Sequence, residues 1–143
     1  LIIRLRDAYA DLLSGLGISM KTYNIEKIED IKLPMEYKQN LFMILKEGIN
    51  NSIKHSHCNK IILEANVRND VIEIIIKDNG IGIDEKSIEY GNGLKNIRSR
   101  AEALGGKVKW KKRDGGGTSL IFIGKVTNRI NVMSLFKKSR EQN

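Results

Sequence analysis

The chain has 143 residues, of which 41% are hydrophobic and 29% charged, and a formal net charge of +8. This length and composition are ordinary for one globular domain. No apolar stretch approaches the ~20 residues that span a bilayer. A single cysteine excludes an internal disulfide, and its spacing from the two histidines matches no standard zinc pattern. The sequence therefore argues against a membrane-embedded, disulfide-stapled or zinc-stabilised protein.

The charge excess lies entirely in residues 107–143, which hold 10 Lys or Arg and 2 Asp or Glu. Such asymmetry indicates either nucleic acid or another acidic partner, or else a solvated edge hairpin followed by a solubilising tail. We favour the second interpretation, because no aromatic residues are interleaved with the lysines after Trp110. We therefore predict no direct binding of nucleic acid.

The first half of the chain predicts a helix, a strand and a second helix. In chain order, these are a helix over residues 2–13 ended by Ser14-Gly15, a strand over 18–23, a connection over 26–33 closed by Pro34, and a helix over 35–55. The last helix is the clearest, because apolar positions recur at three- and four-residue steps. Its stripe consists of Leu41, Ile44, Leu45, Ile49 and Ser52.

The second half of the chain predicts two hairpins separated by a helix. The strands cover residues 60–67, 71–77, 107–112 and 118–125, and the helix covers 94–104 and ends at Gly105-Gly106. Residues 84–90 form a polar segment, and residues 130–136 are a candidate short helix. The order α-β-α-β-β-α-β-β predicts an α+β fold, a two-layer sandwich with a mixed, mostly antiparallel sheet covered on one face by helices.

Four polar side chains share one face of the predicted helix over residues 35–55. Successive residues turn by about 100°, so Asn51, Lys54 and His55 lie about 40°, −20° and 80° from Glu47, whereas the apolar stripe is centred about 150° away. A solvated outer face produces the same pattern. Two glycine motifs farther along the chain favour a binding site instead.

The first glycine motif is Asp78-Asn79-Gly80-Ile81-Gly82, directly after an apolar strand. A carboxylate at a strand end can accept a hydrogen bond from an exocyclic amine such as that of adenine. Gly80 and Gly82 allow a flat ring to approach the backbone. The alternative is an ordinary Asp-Asn-Gly turn.

The second glycine motif is Gly91-Asn92-Gly93-Leu94, at the beginning of a predicted helix. The free N–H groups there can bind phosphate oxygens. The motif matches neither a Walker loop nor a dinucleotide fingerprint. Asn51 suits Mg²⁺, which takes few protein ligands and completes its shell with phosphates and water. The three motifs together predict a nucleotide site.

These motifs, in this order, resemble the ATP-binding catalytic domain of sensor histidine kinases, in the superfamily shared with gyrase, mismatch-repair ATPases and the heat-shock chaperone ATPase. Residues 46–55 resemble the N box, 78–82 the G1 box, 91–94 the G2 box and 115–118 the final Gly-x-Gly-Thr segment. Residues 94–106 resemble a nitrate-sensor-like subgroup with a compact lid and no F box. The resemblance covers about residues 36–125 and implies the Bergerat fold with ATP and Mg²⁺ as cofactors.

The resemblance implies a role for each matching residue. Glu47 would be the catalytic base or orienting group, Asn51 would coordinate Mg²⁺, and Asp78 would bind the adenine amine. The other cofactor-binding positions would be Gly80 and Gly82 beside the base, Thr118 at the adenine end, Lys54 and His55 near the phosphates, and Gly91, Gly93 and Leu94 in the lid. A packed helix residue is the alternative for His55.

The resemblance also implies a domain division. Because the chain opens with Leu1, we expect a fragment in which residues 1–15 are a linker helix from an upstream dimerisation domain, 16–126 the ATP-binding catalytic domain and 127–143 a basic tail.

The implied partners follow from this division. The γ-phosphate would pass to a histidine of the dimerisation domain, in cis or in trans, and then to a response regulator receiver domain. We expect a homodimeric, membrane-anchored sensor whose catalytic domain is cytoplasmic. The alternative is an anti-sigma-type serine kinase, which shares the boxes but has no acceptor histidine.

Overall fold

The computed structural model of the chain describes residues 1–82 and 92–126. Its helices are α1 (Ile2–Gly15), α2 (Glu26–Glu29), α3 (Met35–His55) and α4 (Asn92–Ala103), and its strands are β1 (Ser19–Tyr23), β2 (Lys60–Arg68), β3 (Val71–Asp78), β4 (Lys107–Lys112) and β5 (Thr118–Lys125). Every element predicted within these residues is present. The polar segment at 84–90 and the candidate helix at 130–136 lie outside them.

The prediction of a plain connection over residues 26–33 was wrong at its beginning, where α2 forms. Ile28 of α2 is buried in the core. The Glu29 carboxylate accepts hydrogen bonds from the backbone N–H groups of Ile2 (2.6 Å) and Ile3 (3.1 Å), at the beginning of α1. These groups have no partner within their own helix. One helical turn is too short to show a 3.6-residue period, so no local pattern predicted α2. Contacts with distant segments stabilise this helix.

The described strands form one five-stranded sheet in the order β1-β2-β3-β5-β4. β1 is parallel to β2, and the other three neighbouring pairs are antiparallel. A parallel pair needs a long crossover, which α2 and α3 provide between β1 and β2. The predicted mixed, mostly antiparallel sheet is therefore confirmed.

The core lies between the sheet and α3, and the predicted apolar stripe of α3 is buried. At Gly48, a Cβ would lie 2.8 Å from both Ile76 Cδ1 and Leu120 Cδ2. The missing side chain lets α3 lie directly on β3 and β5. Because Gly48 is between Glu47 and Asn51 in the sequence, this contact brings the part of α3 that carries both polar residues close to the sheet.

The strand β4 lies at one edge of the sheet. Lys107, Lys109 and Lys111 are exposed, whereas Val108 and Trp110 pack against the core. Lysines on an edge strand discourage pairing with another chain, and the arrangement matches the predicted solvated hairpin. No helix in residues 1–82 and 92–126 is both long and apolar enough to cross a bilayer.

Tyr37 of α3 buries a hydroxyl that has no hydrogen-bond partner among the described residues. Burial raises the pKa of Tyr37 from 10.0 to about 12. We expect Tyr37→Phe to raise the free energy of unfolding by about 1 kcal/mol, because it removes a desolvated hydroxyl. Urea denaturation of both proteins at neutral pH measures this difference.

The same substitution should change the dependence of stability on pH. The folded-state pKa of Tyr37 lies above its unfolded value. The free energy of unfolding that comes from this difference in pKa is fully present below pH 10.0 and is lost as the pH rises toward 12. The wild-type protein should therefore lose more stability than Tyr37→Phe over this interval. Parallel pH profiles for the two proteins would contradict the burial of this hydroxyl.

Candidate functional site

Asp78, the last residue of β3, is 3% exposed, and its carboxylate accepts three hydrogen bonds from the described residues. Oδ2 accepts from the Ser52 hydroxyl of α3 (2.9 Å). Oδ1 accepts from the backbone N–H groups of Gly80 (3.0 Å) and Thr118 (3.3 Å). These donors offset the cost of burying a charge. Since a carboxylate has about four lone-pair sites, these three donors among the described residues leave one site of Asp78 for a further hydrogen bond.

Two glycines allow three segments to meet around Asp78. A Cβ on Gly80 would overlap the backbone of Ser56, and a Cβ on Gly117 would overlap the carbonyl of Asp78. Gly117 also has a φ of +102°, which side-chain-bearing residues rarely adopt. The N–H of Ile81 donates to the Ser56 carbonyl (2.8 Å). The loop after β3 is therefore held against both the end of α3 and the glycine-rich turn before β5.

The beginning of α4 lies against the polar face of α3. A Cβ on Gly93 would lie 3.3 Å from Glu47 Oε2 and 3.4 Å from Asn51 Oδ1. The buried side chain of Leu94 anchors this end of the helix. The first N–H groups of a helix lack intrahelical partners and attract anions. A carboxylate, an amide and a potential phosphate-binding helix end thus come together.

A small cavity of about 10 Å³ lies between α3 and the sheet, and Asn51, Ser52, Asp78, Trp110 and Thr118 contribute to its lining. Asn51 Nδ2 and Thr118 Oγ1 are buried without a hydrogen-bond partner among the described residues. An unpartnered buried polar group costs roughly 1–3 kcal/mol, so each such group calls for a specific explanation. A polar ligand bound beside Asp78 would provide one.

Three of the predicted site residues, Asn51, Asp78 and Thr118, line this cavity. Gly93, which precedes Leu94, lies beside Glu47 and Asn51, and the N–H of Gly80 donates to Asp78. Gly82 follows in the same loop with a φ of +90°, and a Cβ there would lie 3.8 Å from Thr118 Oγ1. Lys54 and His55 are exposed and do not line the cavity, so His55 is not a packed residue. Gly91 lies outside the described residues.

Sequence reasoning missed three residues of the site. Ser52 was assigned to the apolar stripe, although a hydroxyl within such a stripe was a signal of a buried polar contact. Trp110 lines the cavity, and its inward position on an alternating strand could have indicated this. Arg113 Nη1 donates to the backbone carbonyl of Asp78 (2.9 Å), and no sequence pattern indicated that contact.

Helix α1 contacts α3 next to the site. The Tyr9 hydroxyl donates to Asn50 Oδ1 (2.6 Å), one residue before Asn51. Burial, and then the negative charge of Glu47, raise the pKa of Tyr9. α1 is therefore attached to the segment of α3 that carries the polar face.

The residues present fit a cation that takes few protein ligands. In residues 1–82 and 92–126, no group of three His, Cys, Asp or Glu side chains converges to hold a metal. The Asn51 amide oxygen instead lies at the beginning of α4, where a Cβ on Gly93 would be 3.4 Å from it. Mg²⁺ is commonly held by one or two protein oxygens, substrate phosphates and water. The donor set therefore suits Mg²⁺ bound together with a nucleotide.

Comparisons with known proteins agree with this geometry. Residues 36–128 match the family described as Histidine kinase-, DNA gyrase B-, and HSP90-like ATPase. The chain is 35% identical to the sensor protein VraS of Staphylococcus aureus over 103 residues, which are 71% of this chain and 29% of VraS. It therefore spans less than a third of the length of that relative.

Two solved structures show the same fold. The catalytic domain of the histidine kinase ThkA is 20% identical, with a TM-score of 0.74 over 88% of this chain and 90% of that one. The ATP-binding domain of PrrB from Mycobacterium tuberculosis is 21% identical, with a TM-score of 0.66 over 89% and 95%.

The fold is that of the ATP-binding catalytic domains of histidine kinases. The chain belongs to the Histidine kinase-, DNA gyrase B-, and HSP90-like ATPase family. The predicted fold class and family are therefore confirmed.

Proposed function

We propose that this domain binds Mg²⁺-ATP and transfers the γ-phosphate to a histidine of a dimerisation domain, as the catalytic part of a two-component sensor kinase. The observation that carries the proposal is the buried Asp78 carboxylate beside two buried polar atoms, Asn51 Nδ2 and Thr118 Oγ1, that have no hydrogen-bond partner in residues 1–82 and 92–126. The match to VraS supports the assignment to a sensor protein.

Adenine recognition rests on Asp78. Its remaining acceptor capacity suits the exocyclic amine of adenine, and its position is set by Ser52 and by the N–H groups of Gly80 and Thr118. Gly82 has a φ of +90° and lies beside Thr118, and its missing side chain leaves room for the ring. Thr118 Oγ1 can bond to the base or to a water that bridges to it.

Phosphate binding and chemistry rest on α3 and the beginning of α4. Asn51 holds Mg²⁺, which neutralises charge on the phosphates, while the N–H groups near Gly93 bind phosphate oxygens. Glu47 orients the attacking imidazole or accepts its proton. Leu94 anchors the lid, Gly91 belongs to it, and Lys54 and His55 contact the phosphates from the solvent side.

The proposed function also implies a division of the chain into domains. Residues 1–15 link the catalytic domain, 16–126, to the dimerisation domain, and 127–143 form a basic tail. The contact between Tyr9 and Asn50 supports this role, because it joins the linker helix to the catalytic helix. The domain belongs to the compact-lid, nitrate-sensor-like subgroup. The full-length protein is a membrane-anchored homodimer with a cytoplasmic catalytic domain, and it phosphorylates a response regulator.

A transfer assay tests this function. The chain is incubated with Mg²⁺ and γ-labelled ATP, alone and with a histidine-bearing dimerisation domain of a sensor kinase. We expect no label on the chain itself, since His55 lies on the helix that builds the site and His57 has no evident route into line with the γ-phosphate. We expect acid-labile label on the added domain, and none when its histidine is replaced by glutamine.

Two results would contradict the proposal. Acid-labile label on the isolated chain would show that it contains its own acceptor. Acid-stable label on a serine of an added protein would instead support the serine-kinase alternative within the same family.

A further inference from the structure

Trp110 is the only tryptophan in the chain, and it lines the cavity together with Asp78, Asn51 and Thr118. It belongs to β4, which pairs with β5 alone among the described strands. Its ring also contacts α4, because the Cζ atom of Arg98 lies 5.6 Å from the ring centroid. The indole thus stands between the cavity and the helix whose first residues face Glu47 and Asn51.

The cavity beside Asp78 is too small for a base. Its volume of about 10 Å³ is room for roughly one water molecule, and a purine ring is many times larger. In this conformation the walls leave little room for an adenine ring beside the carboxylate, and the movement of one wall would provide it.

The walls differ in how easily they can move. Ile76 and Leu120 are 3% and 6% exposed and belong to the core, and the Asp78 carboxylate is held by three hydrogen bonds. Moving them would disrupt close packing, which proteins resist. Trp110 is only partly buried and lies at the sheet edge, so its side chain can turn toward solvent with a smaller loss of buried contacts.

We propose that Trp110 is the mobile wall of the base site: the indole closes the cavity in this conformation, turns aside as the base enters and then contacts the adenine ring. This inference rests on the proposed binding of ATP and adds a base-contacting residue to it. Contact between an aromatic side chain and a base strengthens binding without requiring further hydrogen bonds. In this conformation the cation–π contact with Arg98 joins the indole to α4, the helix whose first residues lie beside Glu47 and Asn51.

Fluorescence of the single tryptophan tests the contact directly. We expect ATP and adenosine to change the emission of Trp110 and inorganic tripolyphosphate to leave it unchanged, because only the first two carry the base. Asp78→Asn should shift the response to about tenfold to a hundredfold higher adenosine concentrations. Calorimetry on the same samples reports binding independently of the indole. ATP binding by calorimetry with constant emission would overturn this inference and leave the proposed function standing, whereas no ATP binding would overturn both.

Substitutions give a second test. Trp110→Leu should weaken adenosine and ATP binding about fivefold and leave tripolyphosphate binding unchanged, and Trp110→Phe should retain most of the affinity. Lys109 is exposed on the same strand, so Lys109→Ala is the matched control and should bind these ligands like the wild-type protein. Circular dichroism and thermal unfolding establish that each variant is folded. Unchanged or tighter adenosine binding by folded Trp110→Leu would overturn the contact.

Discussion

Glu47→Gln is expected to slow phosphoryl transfer to an added histidine domain by about 10²- to 10⁴-fold, the usual contribution of a general base. Glutamine keeps the size of the side chain, so packing near Gly93 is preserved, but it cannot take up a proton. ATP affinity should stay nearly unchanged, because the lost interaction acts mainly in the transition state. Single-turnover transfer at saturating Mg²⁺-ATP measures the first effect and calorimetry the second.

The controls for Glu47 come from the same helix. Glu36→Gln, exposed in the first turn of α3, should transfer phosphate at the wild-type rate. Asn51→Ala should behave differently from Glu47→Gln, with Mg²⁺-dependent ATP binding and transfer lost together. Wild-type transfer by Glu47→Gln would remove the catalytic role assigned to Glu47.

Asp78→Asn is expected to weaken ATP binding by about tenfold to a hundredfold, because a hydrogen bond to a charged group contributes roughly 1.5–3 kcal/mol. Asparagine is chosen over alanine, since it can still serve some of the three donors that surround this buried side chain. Calorimetric titration with a non-hydrolysable ATP analogue measures the change.

Inosine triphosphate separates loss of the hydrogen bond from loss of the fold. It carries an oxygen where ATP carries the amine, so the wild-type protein should prefer ATP. The asparagine amide can donate to that oxygen, and the preference should disappear or reverse in Asp78→Asn. Glu73→Gln, on the same strand, should keep the wild-type preference. Equal affinity of the wild-type protein for both nucleotides would contradict base recognition by Asp78.

The sequence predicted the regular elements well where their signals were local. The stripe from Leu41 to Ser52 repeats at helical steps and is buried in α3. The strands ending at Asp78 and beginning at Thr118 were bounded by glycine-rich turns and lie where they were predicted, within a residue. The four-residue helix α2 escaped prediction, because contacts of Ile28 and Glu29 with other segments hold it.

The residues of the candidate site also differ in how far local sequence signals predicted them. Asp78, Gly80, Glu47 and Asn51 occur in motifs whose spacing along the chain was sufficient to select them. The exposure of His55 could not be predicted, since the helical angle gives a direction but not what lies in that direction.

By itself, the sequence determined the order of the elements, the buried face of α3 and the three motifs, because hydrophobic period, turn chemistry and motif spacing are encoded in neighbouring residues. Only the tertiary structure decided that Ser52 donates to Asp78, that Gly93 meets Glu47 and Asn51, and that Trp110 walls the cavity. Ser52 and Asp78, Gly93 and both Glu47 and Asn51, and Trp110 and Asp78 are more than twenty positions apart in the sequence. These contacts depend on strand register and on the close approach of α3 to the sheet, which no local pattern specifies.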